Sequence, residues 1–292
     1  MENILSGKKV AQKILNRLKL EVTNLKNRNV LPSLNIFMVG KEPASEYYSQ
    51  NIIKKSKKAD IIVNLINLSE DVIEEELITQ IEKANLDKDV HGILLQLPLP
   101  IHIRADKVIM SINPNKDVDG LHPFNAGKLL LGKDSFIPCT PLAVLELIKF
   151  YEIKTDGAKV VILGRSNIVG KPLANLLLQK KMYGNATVTV CHSHTNELKE
   201  ITKSADILIA AIGKPEFVSE KMVNSDAIII DVGINKIFDE NCERYKFVGD
   251  VDYENVREKV KAITPVPGGI GSITTTTLLS NVIKAATFFS IK

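Results

Sequence analysis

The stretch Lys159-Val-Val-Ile-Leu-Gly-Arg-Ser-Asn-Ile-Val-Gly-Lys-Pro172 constrains the fold more than any other part of the chain. Residues 160–163 form a short, β-branched apolar run, the pattern of a strand buried on both faces of a parallel sheet, and Gly164 ends it. Pro172 then stands near the first turn of a helix carrying Leu173, Leu176, Leu177 and Leu178. A glycine at a strand end lets the backbone approach a ligand, and a helix N-terminus presents unpaired N–H groups and a positive dipole end. The turn therefore suits a pyrophosphate. Its spacing, Gly164-x5-Gly170 with Ser166 at the usual second glycine, meets the dinucleotide-binding pattern only in part. A strand-turn-helix that binds nothing fits it too.

The rest of the chain alternates in the same way. Val10, Ile14, Leu18, Val22 and Leu25 recur at helical spacing over residues 7–29. Strands are expected at 34–39, 61–68 and 92–97, with helices at 44–59 and 72–84 between them, the second opened by Asp71 with Glu74 as a capping pair. Residues 113–140, rich in Pro, Gly and Asp, read as the crossing between domains. Pro141 opens a helix to about Tyr151, and further strands follow at 160–163, 186–190, 207–210 and 227–232. A last helix over 273–289 follows the turn Pro265-Val-Pro-Gly-Gly-Ile-Gly271. The expected fold class is α/β: two α/β domains flanking a cleft, the second a Rossmann-like dinucleotide-binding domain. The first takes residues 1–140 plus 273–292 and the second 141–272.

Composition narrows the classes. With 292 residues, 45% apolar and 25% charged, the chain is globular, with length for one large or two ordinary domains. No apolar run reaches the roughly 18 residues of a membrane span, and residues 1–9 lead into an amphipathic segment, so a soluble, cytoplasmic protein without membrane contact is expected. Cys139, Cys191 and Cys242 have no paired spacing, which fits a reducing compartment. The net charge of +4 is spread over Lys-rich helices such as residues 54–58 without interleaved aromatics, a solvated face rather than a nucleic-acid site. The second strand of the later domain runs into Cys191-His-Ser-His-Thr195, with no carboxylate to hold a ribose 2′-OH, while Arg165 can pair with a 2′-phosphate. NADP is favoured over NAD. Cys191, His192 and His194 crowd within four residues with no complementary ligand pair elsewhere, so no metal site is expected.

Several ordered motifs together give the chain its strongest likeness. Val39-Gly-Lys-Glu-Pro-Ala-Ser-Glu-Tyr-Tyr48, Gly92-Ile-Leu-Leu-Gln-Leu-Pro-Leu-Pro100, Lys116-Asp-Val-Asp-Gly-Leu-His-Pro-Phe-Asn125, Pro138-Cys-Thr-Pro141, the 164–172 turn, Asp231-Val-Gly-Ile-Asn235, Val248-Gly-Asp-Val-Asp252 and Thr264-Pro-Val-Pro-Gly-Gly-Ile-Gly271 resemble the methylenetetrahydrofolate dehydrogenase/cyclohydrolases of one-carbon metabolism over essentially the whole chain. The resemblance implies a homodimer acting on a tetrahydrofolate derivative. It implies Tyr48 stacked on the pterin-aminobenzoate face, Gln96 beside the reacting carbon with Leu97 and Pro98 next to it, and Asp119 on the amino-pyrimidine edge. On the cofactor side it implies Gly164, Arg165 and Ser166, with Ser193 and His194 at the 2′-phosphate and Ile234 against the nicotinamide. Pro267, Gly268 and Gly269 form a turn at the cleft. Taken singly, Tyr48 fits a helix core residue, Gln96 a buried amide and Asp119 a turn former.

One position departs from the family. Its bifunctional members carry a lysine four residues beyond the tyrosine, and here that position is Ile52, with no gap to adjust the register. Lys55 lies about one turn further along, ~5 Å. Hydride transfer chiefly needs donor and acceptor aligned, whereas hydrolysis of the methenyl cation needs a group that moves protons. The expectation is a dehydrogenase with weak or absent cyclohydrolase, since losing an acid/base group costs about 10²- to 10⁴-fold. A milder departure puts Ser272 where the family has proline, a potential N-cap. The competing readings are a shikimate-type dehydrogenase of a small polar acid and a pseudo-enzyme that binds folate or nucleotide.

Overall fold

Val10, Ile14, Leu18, Val22 and Leu25 line one side of helix α1 (Gly7–Lys26), none more than 4% exposed, so the helical spacing does mark a buried stripe. The computed structural model describes residues 3–239 and 244–290, which leaves Cys242 outside the described residues. The chain divides into two compact units, Lys13–Cys139 with Thr275–Lys292, and Met1–Gln12 with Thr140–Thr274.

In the first unit the elements after α1 are β1 (Ser33–Val39), α2 (Pro43–Lys58), β2 (Ile62–Leu68), α3 (Glu74–Leu86), β3 (Gly92–Leu95), α4 (Ala105–Ser111) and α5 (Pro123–Leu130). The sheet is parallel, in the order β2-β1-β3, with Ile36 opposite both Leu65 and Leu94. Central β1 is buried at every residue, its Asn35 accepting from Asn64 Nδ2 at 2.9 Å, while edge strand β2 is partly solvated. Each fully buried Leu, Ile or Phe side chain here contributes about 1.5–3 kcal/mol.

Two local expectations fail in this unit. Asp71 and Glu74 form no capping pair: α3 starts at Glu74 and has no side-chain cap. Glu74 turns inward instead, accepting from Arg104 N at 2.8 Å, Arg104 Nη2 at 2.9 Å and Lys107 Nζ at 2.7 Å, and these donors hold its carboxyl well below the usual range. Several charge-assisted bonds outweigh one cap. Nor is 113–140 a bare crossing. Lys116, Asp117 and Asn125 in it are buried, and α5 lies within it.

The second unit holds α6 (Cys139–Phe150), β4 (Lys159–Leu163), α7 (Gly170–Leu178), β5 (Thr187–Cys191), α8 (Leu198–Lys203), β6 (Ile207–Ala210), β7 (Ile228–Asp231), β8 (Asn235–Asp239), β9 (Arg244–Val248), α9 (Tyr253–Val256) and β10 (Ala262–Ile263). Its main sheet runs β10-β7-β6-β4-β5, all parallel, and Val161, Leu163, Leu208, Ala210 and Ile229 pack into one core with α8 and α9. The antiparallel pair β8-β9 has no counterpart in the sequence expectations. The first residues belong to this unit because Leu5 N donates to Ile263 O and Ile263 N to Asn3 O, adding the N-terminal segment to β10. The sequence had placed them in the first domain. Helix α10 (Gly271–Ser290) starts before Ser272, so that serine lies in the first turn and is not an N-cap. Among the described residues no helix is long and apolar enough to cross a membrane.

Candidate active site

Tyr48 and Ile52 lie on α2, whose first turn is capped by Glu42, accepting from Ser45 N at 2.6 Å. Ser45, Ser49, Ile52 and Ser56 are buried at spacings of four, three and four, one helical face. Two of these serines tie that face to the carboxyl end of β3. Gln96 Nε2 donates to Ser49 Oγ at 3.0 Å, and Ser45 Oγ donates to Leu97 O at 3.2 Å. Gln96 N extends the strand ladder by donating to Phe37 O at 2.9 Å. Gln96 is thus a partnered buried amide and also sits where α/β sheets bind ligands. Tyr48, next to Ser49, is half-buried and Ile52 is fully buried. Lys55, seven residues beyond Tyr48, falls on the same side of the helix. Burial, helped by repulsion from Lys58, pushes its ammonium down to about 8.

Asp119 follows a segment fastened at each neighbouring residue. Lys116 Nζ donates to Ala84 O at 2.9 Å and Asp87 O at 2.6 Å. The Asp117 carboxylate accepts from Leu121 N at 3.1 Å and from His122 N and Asn125 Nδ2 at 2.8 Å each. Cys139 lies beside Asp119, and its thiol donates to Val118 O at 3.7 Å. Burial pushes the Asp119 carboxyl up to about 6, hydrogen bonding from Cys139 opposes that, and the charge of Asp117 reinforces it. Burial also raises the Cys139 thiol well above its ordinary value, so it stays protonated and can donate.

In the other unit the turn after β4 is as close as backbone allows. Gly164 has φ +117°, and a Cβ there would lie 2.1 Å from Ala211 O; a Cβ on Gly170 would lie 2.1 Å from Gly164 O. Ser166 Oγ accepts from Val169 N at 3.1 Å, just before α7 begins. Arg165 and Ser166 are exposed, and so are Ser193 and His194 in the turn after β5. Leu163 pairs with Cys191 in the sheet, so Arg165 and Ser193 stand two residues beyond paired strand ends. In the β5 turn, Thr195 Oγ1 accepts from His192 N at 2.9 Å. A tight glycine turn at a helix N-terminus, an arginine, a serine and no carboxylate in residues 191–195 fit an NADP pyrophosphate and 2′-phosphate.

Ile234 is 58% exposed. The loops around it are fastened by two carboxylates that the sequence reading quoted only inside motifs. Asp231 accepts from Gly233 N at 2.9 Å, Asp250 N at 3.0 Å and Val251 N at 2.9 Å. Asp250 accepts from Ile212 N at 2.7 Å and from Gly213 N, Lys214 N and Asn235 Nδ2 at 2.9 Å each. Burial pushes Asp231 up to about 7 against its three N–H donors, with the charge of Asp250 adding to the rise. Pro267, Gly268 and Gly269 form a turn against α1: Gly7 N donates to Gly268 O at 2.9 Å, and a Cβ on Gly7 would lie 2.0 Å from Gly269 O. Gly7, Ser45, Ser49 and Asp250 went unread as site residues. The i, i+4 serines carried a faint signal, the others none, because their partners are distant in the chain. Among the described residues no cluster of His, Cys, Asp or Glu is placed to hold a metal.

Comparison with known proteins gives the family. Residues 5–119 match the family model for the tetrahydrofolate dehydrogenase/cyclohydrolase catalytic domain, and residues 138–289 match that for its NAD(P)-binding domain. The chain is 48% identical over 286 residues to the bifunctional protein FolD of Chlorobium phaeobacteroides, covering 97% of this chain and 96% of that one. It is similar to the crystal structure of the bifunctional FolD methylenetetrahydrofolate dehydrogenase/cyclohydrolase of Campylobacter jejuni, at 43% identity and a TM-score of 0.93 over 99% of both chains. The FolD of Trypanosoma brucei, complexed with NADP cofactor and inhibitor, is 33% identical with a TM-score of 0.92 over 98% of both chains. Full-length similarity at these identities, joined to two α/β units with parallel sheets, means that the chain belongs to the tetrahydrofolate dehydrogenase/cyclohydrolase family.

Proposed function

We propose that this protein is an NADP-linked 5,10-methylenetetrahydrofolate dehydrogenase in which hydrolysis of the methenyl product is slow. One observation carries the second half of that reading: Ile52, fully buried, occupies the face of α2 beside Ser49 and Tyr48 with no group able to move a proton. Held by Gly164, Arg165, Ser166, Ser193 and His194, NADP+ would supply the two-electron acceptor for the hydride that the methylene carbon gives up on becoming methenyl. The Tyr48 ring offers a flat face to the pterin and aminobenzoate. Gln96, its amide fixed by Ser49, stands beside the reacting carbon with Leu97 and Pro98, and Asp119 accepts from the amino-pyrimidine edge. Gly164, Arg165 and Ser166 receive the pyrophosphate, Ser193 and His194 the 2′-phosphate, and Ile234 the nicotinamide. That the Trypanosoma brucei relative is complexed with NADP supports the cofactor assignment. A homodimer in the cytoplasm completes the reading, in keeping with free, buried Cys139 and Cys191.

A single absorbance time course tests it, with methylenetetrahydrofolate and NADP+ supplied and NADPH and methenyl followed together. NADPH and methenyl rising in step, with methenyl then decaying at the buffer rate, is the expected result. No turnover sinks the dehydrogenase reading. NADPH rising while methenyl stays low means that another group moves the proton, and Lys55 is the first to replace.

A further inference from the structure

We infer that Asn281 of α10 is a positioning residue for Asp119, holding the carboxyl where it meets the substrate; the inference rests on the role proposed above for Asp119. Asn281 is buried, and its Nδ2 donates at 2.7 Å to Val118 O and at 3.0 Å to Ile137 O. The carbonyl of Val118 belongs to the peptide plane that carries the Asp119 nitrogen, so fixing that oxygen fixes the root of the Asp119 side chain. Ile137 lies two residues before Cys139, whose thiol donates at 3.7 Å to the same Val118 O and which lies beside Asp119. One turn earlier on α10, Thr277 Oγ1 donates to Cys139 O at 2.9 Å. Asn281 and Thr277 are four residues apart and share a helix face. Helix α10 therefore grips both the backbone from which Asp119 projects and the residue beside it.

Packing alone does not account for an amide here. Leu278, Leu279 and Val282 around it are fully buried, and a leucine at 281 would fill comparable volume without desolvating an amide. What the amide adds is two donors for two carbonyls that lie outside every strand and helix. Neither partner is near in sequence, at separations of 163 and 144 residues.

The test compares Asn281→Leu, Asn281→Gln and Thr277→Val with the unaltered protein in steady-state kinetics, with NADP+ affinity and thermal melting measured alongside. Loss of two buried hydrogen bonds at the root of a binding carboxylate is expected to raise KM for methylenetetrahydrofolate about 10-fold or more in Asn281→Leu, with kcat within about 3-fold and NADP+ affinity unchanged. Asn281→Gln, which keeps the donors, is expected to recover most of that loss. If Asn281→Leu does not fold, Thr277→Val decides, with a rise in folate KM of about 3-fold expected. A folate KM within experimental error of the unaltered protein in the deciding variant overturns the inference, including where kcat alone falls in proportion to lost folded protein. Absence of turnover in the unaltered protein would instead overturn the functional reading beneath it.

Discussion

Ile52→Lys tests whether position 52 governs hydrolysis of the methenyl product, as proposed above. The site is fully buried, so the change removes an apolar side chain worth about 1.5–3 kcal/mol and places an amine where water is excluded. Lys55, one turn away and only partly buried, is already pushed down to about 8, so an amine at 52 should titrate lower still and be substantially neutral at pH 7.5. Neutralisation limits the penalty, and an overall loss of about 2–4 kcal/mol of stability is expected. A base with a pKa near the working pH is what hydrolysis of a methenyl cation requires. The gain in methenyl hydrolysis should then be about 10²- to 10⁴-fold, with dehydrogenase turnover kept within an order of magnitude. The assay follows decay of the methenyl band above the buffer rate, using Ile52→Met as the apolar control of similar volume and melting curves to normalise for folded protein. A folded Ile52→Lys protein that oxidises methylenetetrahydrofolate but hydrolyses methenyl no faster than Ile52→Met would refute the proposed link between slow hydrolysis and this position.

Two further predictions use the geometry elsewhere. In Gly164→Ala the new Cβ would start 2.1 Å from Ala211 O at φ +117°, so the β4 turn must open; NADP+ affinity is expected to fall at least about 10-fold in a fluorescence titration, and unchanged affinity would mean that the close backbone packing does not form the cradle. The raised pKa of Asp119 bears on pH: KM for methylenetetrahydrofolate should be flat above pH 7 and rise about 10-fold per unit below the value of about 6, while KM for NADP+ stays level. Asp117 and Cys139 are the titratable groups facing it, and neither being an added cation, the rise on acidification keeps this sign. Since the folded state binds that proton more tightly than the unfolded chain, the group favours folding fully below about pH 3.9, and the contribution is lost as pH rises through about 6. A folate KM that is level from pH 5 to 8 would show that the Asp119 charge is not used in binding.

Much of the architecture could be read from local pattern. The stripe of α1, the buried runs of β1, β3, β4 and β6, and the glycine that ends β4 each announce themselves within a single element, because period and side-chain branching are properties of neighbouring positions. Edge strand β2 was legible for the same reason, though its start moved by one residue. The antiparallel pair β8-β9 was not, since the two strands pair only with each other and β9 is largely exposed. Asp71 and Glu74 looked like a cap by spacing alone, but Arg104 and Lys107, about thirty residues away, claimed Glu74. Motif order carried the candidate site residues Tyr48, Gln96, Asp119 and the Gly164 turn, and it carried the anomaly at Ile52.

The sequence by itself therefore determined the class of fold, the family and the one missing ionisable side chain, all of which depend on residue types at fixed spacing. Tertiary structure alone decided what holds those residues in place: Ser49 against Gln96, Asp250 gathering three successive N–H groups, Gly7 under the 267–269 turn, and Asn281 bridging Val118 and Ile137. The reason is physical. A hydrogen bond or a steric contact needs atoms within a few ångströms of one another, and partners as far apart in the chain as 163 residues meet only after the chain has folded.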